Sequence, residues 1–228
     1  MNPTDQTRIA AYYDEYLDYL KRDHVLGNKR LSRVKVSLSA IVRPGQSILD
    51  LGCGTGITSQ FMGQLGATVM AVDISPALIE FAREHSAHRN VEYLVADVTA
   101  LEFDRTFDGI VMVDVFEHIP PGDISDLLAV IARHSGDKTW VFLNIPDGRY
   151  QAMARALIPH RLQIVDESYH LIQLLSIFRG IGFEAANIDI YGIDVACQYN
   201  SILFQRGDSI REAYKTMMSQ YSAGKDAD

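Results

Sequence analysis

The chain has 228 residues, 47% hydrophobic and 22% charged, with a formal net charge of −8. That length suits one domain with a small lid and is enough for a substantial core, while the composition excludes a disordered chain, a collagen-like chain and a disulfide scaffold. No apolar run approaches the ~18–20 residues of a membrane span, and no basic stretch followed by an apolar one marks a secretory signal. The two cysteines, Cys53 and Cys197, set the expectation of a reducing cytoplasm. The acidic balance argues against a large nucleic-acid surface.

Residues 5–21 carry a helical stripe of Ile9, Tyr12, Tyr13, Tyr16, Leu17 and Leu20, with Asp14, Glu15 and Asp18 on the other side and Thr4 as N-cap. A second helix is expected over 28–42, with Leu31, Val34, Leu38, Ile41 and Val42 inward, ended by Pro44-Gly45. Strand and helix signals then alternate. Strands are expected at 47–51, 68–72 (closed by Asp73), 91–95, 107–113 and 139–145, and helices at 57–65 and from Pro76 to about Ala87, with Ser75 as N-cap. A further helix after Pro121-Gly122-Asp123 buries Ile124, Leu127, Leu128 and Ile131 and stops at Gly136. Strands separated by helices imply a parallel sheet. Residues 146–166 contain Pro146, Gly148 and Pro159 and are expected to be an irregular lid, followed by a helix over 168–179. Residues 183–191 and 198–205 leave no room for a helix between them and should pair as an antiparallel hairpin at the sheet edge. Ser209 and Glu212 fit a capping box for a last helix carrying Ile210, Tyr214, Met217, Met218 and Tyr221, with a disordered tail over 222–228. The expected organisation is a helical cover over 1–43, a ligand-binding α/β domain over 44–206 with the lid at 146–166, and a C-terminal helix and tail over 207–228.

The segment Asp50-Leu-Gly52-Cys53-Gly54-Thr-Gly56 stands between a strand and a helix. Glycines there let backbone amides approach a ligand closely. A dinucleotide fold wants its third glycine at 57, where this chain has Ile, and the third glycine arrives at 56. Asp73 ends the second strand, where a carboxylate can accept hydrogen bonds from both ribose hydroxyls. Asp97 and Val98 follow the third strand, where an adenine edge can be held. These segments, with Phe107-Asp-Gly-Ile-Val, resemble the successive motifs of class I methyltransferases that use S-adenosylmethionine. The resemblance runs from about residue 8 to residue 205. It implies a doubly wound, seven-stranded, mostly parallel Rossmann-like sheet with an antiparallel terminal hairpin and a helical cover. By that resemblance Asp50, Gly52, Cys53, Gly54, Ile74, Val98 and Val113 surround the cofactor, Asp73 takes the ribose hydroxyls and Asp97 takes the adenine amino group.

The fourth strand ends at Val113-Asp114-Val-Phe-Glu117-His118. Asp114, Glu117 and His118 stand at i, i+3 and i+4, so one helical turn would put them on one face. Two carboxylates and an imidazole can hold a divalent cation such as Mg2+ with positions left for substrate oxygens. Three roles stay open for His118: metal ligand, metal-free general base, or structural cap. The segment resembles that of the ubiquinone-biosynthesis O-methyltransferases and of small-RNA 2′-O-methyltransferases, in which a later histidine completes a metal site; His170 is the counterpart here. Ala11-Tyr-Tyr13-Asp and Asn28-Lys-Arg30-Leu31 resemble a stretch of the quinone enzymes, displaced by one residue, and by that likeness Tyr13 and Arg30 reach the cofactor, Arg30 at its carboxylate. Tyr16 is expected to pack in its helix. Arg149, Arg155, His160 and Arg161 make the lid basic, a place for an acidic substrate or an ordinary solvated loop.

The expected function is S-adenosylmethionine-dependent methyl transfer to a small molecule, at a hydroxyl oxygen. The alternatives are a nitrogen acceptor, an RNA or protein acceptor, a cofactor-binding protein without turnover, and an NAD-dependent oxidoreductase. Neither the acceptor nor the oligomeric state follows from the sequence.

Overall fold

Short apolar strands alternate with helices that are apolar on one side, and winding each helix back over the sheet is what buries both. The computed structural model describes residues 3–207 and 214–217. Two helices come first, α1 (Pro3–Leu26) and α2 (Lys29–Ile41). The alternating unit follows: β1 (Ser47–Leu51), α3 (Ile57–Gln64), β2 (Thr68–Asp73), α4 (Pro76–His85), β3 (Val91–Val95), β4 (Phe107–Val113), α5 (Ile124–Arg133) and β5 (Ser135–Pro146). The chain continues through α6 (Gly148–Leu157), α7 (Leu171–Gly180), β6 (Phe183–Tyr191) and β7 (Tyr199–Arg206).

The seven strands lie in the order β3-β2-β1-β4-β5-β7-β6. The first five are parallel, β7 enters antiparallel beside β5, and β6 closes the edge as its antiparallel partner. The expected fold class and terminal hairpin are therefore present. Each sheet face carries a core, because successive strand residues point to opposite sides. Leu49, Leu51, Ile110, Phe116, Phe178 and Phe204 fill one, with Phe178 and Phe204 stacked at 4.3 Å between centroids. Ile48, Val69, Val111 and Trp140 fill the other, beneath Val34 and Leu38 of α2.

Helix starts follow the expected chemistry where a side chain can cap them. Asn28 Oδ1 accepts from Arg30 N and Leu31 N, and Ser75 Oγ accepts from Leu78 N ahead of Pro76. Four expectations are corrected. Helix α1 begins by Pro3 and so includes Thr4 rather than following it. Gly136 does not stop α5: the helix ends at Arg133, and Gly136 lies in β5, which starts at Ser135 because Ser135 already pairs with Phe107. The 146–166 segment is not irregular, since α6 occupies half of it, capped by Asp147, which accepts from Arg149 N. Glycine and proline at its ends hid that helix; Gly148 is there because an added Cβ would lie 2.6 Å from the Tyr169 carbonyl oxygen. Helix α7 begins at Leu171 rather than 168. The capping box at 209–212, Ile210, Met218, Tyr221 and the tail lie outside the described residues. Tyr214–Met217 form an exposed helical turn.

Candidate active site

Strand order reverses between β1 and β4, and the crevice beyond the carboxyl ends of such neighbours is where open α/β sheets bind ligands. A cavity of about 420 Å3 opens there. The glycine turn forms its floor. Gly52 N and Cys53 N both donate to the Val72 carbonyl, at 2.8 and 2.9 Å, which folds the chain tightly over β2. Gly52 has φ +71°, and a Cβ there would strike Val115 Cγ2 at 2.4 Å. Gly54, at φ +53°, faces open space, so its backbone is approachable.

Asp73, buried at the end of β2, accepts from Gly54 N at 2.8 Å through Oδ2 and from Ser75 N at 3.0 Å through Oδ1. Each oxygen keeps a lone pair. Asp97 lines the same cavity; its Oδ1 accepts from Thr99 N and Thr99 Oγ1, both at 2.8 Å, and its Oδ2 faces Gln6 Nε2 of α1. Ile74, Val98 and Val113 line the wall beside them. Asp50 stands outside the lining, beneath the turn, where Oδ2 accepts from Ser59 Oγ at 2.6 Å and Thr58 Oγ1 at 3.4 Å.

Burial outweighs those two hydrogen bonds and pushes the Asp50 carboxyl up to about 6 from 3.8. The folded state thus holds this proton more tightly than the unfolded chain. The associated stability is fully present below the unfolded pKa and is lost as pH rises through the folded one, about 3 kcal/mol in all. Asp50→Asn, which keeps the acceptor oxygen, should flatten stability across this window and be the more stable protein at pH 7. Denaturant midpoints at pH 4 and pH 7 for both proteins check this; equal pH slopes would show that Asp50 is not the titrating group.

Helix α1 lies over the cavity mouth. Its residues Ile9, Tyr13, Tyr16, Tyr19 and Leu20 all line the cavity. Tyr16 therefore faces the site, although it also stacks with Tyr12 at 5.7 Å. Asp14, expected on the solvent side, receives Ser75 Oγ and Ala77 N, and His24 Nε2 meets the Thr55 carbonyl at 3.2 Å. These contacts and Gln6–Asp97 fasten the cover along its length.

The 114–118 segment does not form the single helical turn expected of it. Asp114 has φ +54°, and a separate 3-10 turn spans Phe116–His118. Asp114 turns toward α2, where its Oδ2 pairs with Arg30 Nη1 at 2.8 Å, while Oδ1 accepts from Asn144 Nδ2 at 3.0 Å. Glu117 is buried under the turn with neither carboxylate oxygen partnered, and burial pushes its carboxyl well above the ordinary range. His118 lines the cavity; its Nδ1 lies 2.7 Å from the Val165 carbonyl and its Nε2 3.7 Å from Glu117 Oε1. Asp114 and His118 both line the cavity, while Glu117 lies buried beneath the turn. Among the described residues no three His, Cys, Asp or Glu side chains gather into a group able to hold a metal ion. His170 is exposed at the start of α7, outside the cavity lining, with its N–H donated to Gln173 Oε1 at 2.8 Å.

The basic residues of the lid turn away from the cavity. Arg149 pairs with Asp147 at 2.8 Å, Arg155 reaches the Asp166 carbonyl, and His160 and Arg161 are exposed. The lid contributes Gln163 instead, with Oε1 buried and unpartnered. The hairpin connection adds Ile193, Asp194, Gln198 and Tyr199, none of which the sequence singles out, because a strand or turn residue becomes a site residue only when the hairpin folds over the sheet. Arg30 is the only arginine or lysine among the described residues of the lining, and its Nε–H is buried without an acceptor. Burial alone would lower its pKa, but Asp114 and Tyr199 raise it, so the guanidinium stays charged.

No described helix is long and apolar enough to cross a membrane. Residues 48–136 match the methyltransferase-domain family. A ubiquinone biosynthesis O-methyltransferase of Xanthomonas campestris pv. campestris (strain B100) is 32% identical over 149 residues, which are 58% of this chain and 59% of that protein. The mitochondrial ubiquinone biosynthesis O-methyltransferase of Schizosaccharomyces pombe is 41% identical over 80 residues, 33% of this chain and 29% of that one. The match thus spans about three-fifths or less of these relatives' length. Among solved structures, magnesium protoporphyrin IX methyltransferase from Synechocystis PCC 6803 with bound S-adenosylhomocysteine superposes with a TM-score of 0.70 at 18% identity, over 89% of this chain and all of that one, a likeness of fold. Residues 48–136 thus match a methyltransferase domain, and the chain shares the fold of solved S-adenosylmethionine-dependent methyltransferases.

Proposed function

We propose that the chain transfers a methyl group from S-adenosylmethionine to a hydroxyl oxygen of a small molecule, with His118 taking the hydroxyl proton. The observation that carries this is the tautomer of His118. The Val165 carbonyl can only accept, so Nδ1 bears the hydrogen and Nε2 keeps its lone pair, on a ring that lines the cavity. Burial lowers the His118 pKa below 6.5, so the ring is neutral at pH 7. A neutral imidazole with a fixed, bare nitrogen on a cavity is suited to accept a proton.

The lining fits the cofactor. Asp73 has two lone pairs for ribose hydroxyls, Gly54 leaves room for close approach, and the orphaned Arg30 Nε–H awaits an anionic acceptor such as the amino-acid carboxylate. Asp97 and Val98 face the adenine, and Gln6 shares or yields Asp97 Oδ2. When bound, S-adenosylmethionine supplies an electrophilic methyl on a sulfonium. The chain's own work is alignment and exclusion of water, for which α1 with Tyr13 and Tyr16 forms the roof. The similarity to ubiquinone biosynthesis O-methyltransferases supports an oxygen acceptor, and the covered cavity supports a small molecule over RNA or protein.

The test measures S-adenosylhomocysteine release with a panel of hydroxylated acceptors from pH 5 to 8.5, with and without Mg2+. In the wild type, kcat/KM should hold down to a pH below 6.5 and then fall as His118 protonates. His118→Asn should lose that limb and about 10²–10⁴-fold in kcat, while affinity for S-adenosylhomocysteine stays near wild type. Full activity of His118→Asn would end the base assignment. Turnover that needs Mg2+, with the requirement lost in Glu117→Ala, would replace it with metal assistance through the unpartnered Glu117 carboxylate.

A further inference from the structure

Arg30 is a flexible side chain on the first turn of α2, yet its guanidinium is held in one direction. Asp114 Oδ2 takes Nη1 at 2.8 Å, and the Tyr199 ring lies 5.8 Å from the guanidinium carbon. The Arg30 Nε–H is buried and unpartnered, on a residue that lines the cavity. Asp114 is itself held at both ends. Its left-handed backbone lets its N–H donate to the Asn144 carbonyl at 2.9 Å, and the Asn144 side chain donates from Nδ2 to Asp114 Oδ1 at 3.0 Å. Asn144 sits fully buried near the carboxyl end of β5, between Val113 of β4 and Ser201 of β7. Its remaining oxygen accepts from Tyr191 Oη at 2.7 Å and Ser201 Oγ at 2.8 Å.

We infer that Asn144 is a positioning residue: through Asp114 it aims Arg30 at the carboxylate of the cofactor, and through Tyr191 and Ser201 it makes that aim depend on the seating of the terminal hairpin. This rests on the reading that Arg30 meets the cofactor carboxylate. The physical case is the polar network itself. A fully buried amide in a strand that served packing alone would be replaced by an apolar side chain at little cost. Here one amide group uses both ends, donating to the residue that orients a charged ligand-facing group and accepting from two strands of the hairpin. An arginine locked before binding loses less rotamer freedom when the ligand arrives.

The test compares two ligands by calorimetry. S-Adenosylhomocysteine carries the amino-acid end; 5′-methylthioadenosine keeps the nucleoside and thioether without it. Asn144→Asp retains the volume and the acceptors for Tyr191 and Ser201, but removes the donor to Asp114 and sets a carboxylate beside it. It should weaken S-adenosylhomocysteine about tenfold, the scale of one charge-assisted hydrogen bond, and leave 5′-methylthioadenosine within about twofold. Arg30→Met should show the same selectivity with a larger loss. If Asn144→Asp does not fold, Asp114→Asn carries the same contrast. Equal weakening of both ligands, or no change in either, would overturn the inference. If Arg30→Met is selective and Asn144→Asp is not, the relay fails and the role of Arg30 stands. If Arg30→Met itself is not selective, the underlying reading fails and takes the relay with it.

Discussion

Replacing Asp73 with alanine should weaken S-adenosylhomocysteine binding by at least about 100-fold. Two charge-assisted hydrogen bonds to ribose are worth about 1.5–3 kcal/mol each, and each factor of ten costs about 1.4 kcal/mol. The carboxylate also holds the glycine turn, since Gly54 N and Ser75 N both donate to it. Alanine therefore removes the ligand's acceptors and loosens the floor they stand on. Asp73→Asn keeps one acceptor oxygen and should fall between wild type and alanine. Calorimetry with S-adenosylhomocysteine, beside thermal unfolding of each variant, checks both steps. Unchanged affinity in folded Asp73→Ala would remove Asp73 from the site.

Gly109→Ala should be the most destabilising small change in the sheet. Gly109 lies in β4 between Ile48 of β1 and Trp140 of β5. A Cβ there would stand 2.3–2.6 Å from three atoms of the Trp140 indole, far inside contact distance. The ring is itself buried, so it cannot swing into solvent. Overpacking of this kind costs about 1–3 kcal/mol and more where neighbours cannot yield, and in a domain of this size about 3 kcal/mol lowers Tm by about 6–12 °C. Trp140→Leu should rescue part of the loss, because it clears the space and because Trp140 Nε1 has no partner to forfeit. The double variant should then be less destabilised than the two single changes added together. Strict additivity would mean that the indole is not what Gly109 makes room for.

Strand positions and the place of the glycine turn were legible because their causes are local. Ser47–Leu51, Val91–Val95, Phe107–Val113 and Phe183–Tyr191 form strands at the expected residues, each an apolar or alternating run between turn signals. Ser75-Pro76 opens a helix through its own side chain and fixed φ. The reverse held where a neighbour distant in sequence decided. Gly148 signalled a break but begins a helix, because the backbone of Tyr169 passes against it. Gly136 signalled a helix end but joins a strand, because Phe107 supplies a pairing partner. The stripe of α1 has the spacing of a core helix, and spacing alone does not distinguish a face packed on protein from one laid over a cavity.

The site divides in the same way. Gly52, Cys53, Gly54, Asp73, Asp97 and Val98 lie at or just beyond the carboxyl ends of strands, so the fold class alone brings them to one edge, and they line the cavity. For Asp114, Glu117 and His118 the sequence determined proximity and not direction. A helical turn would have aligned them; the left-handed backbone of Asp114 and the short 3-10 turn after it send one carboxylate to Arg30, bury the other and set the imidazole on the Val165 carbonyl. The fold and the cofactor edge thus follow from short-range pattern in the chain. The choice of partner for each buried charge and the Asn144 network came only with the tertiary structure, since a charge taken out of water is oriented by whatever long-range packing places beside it.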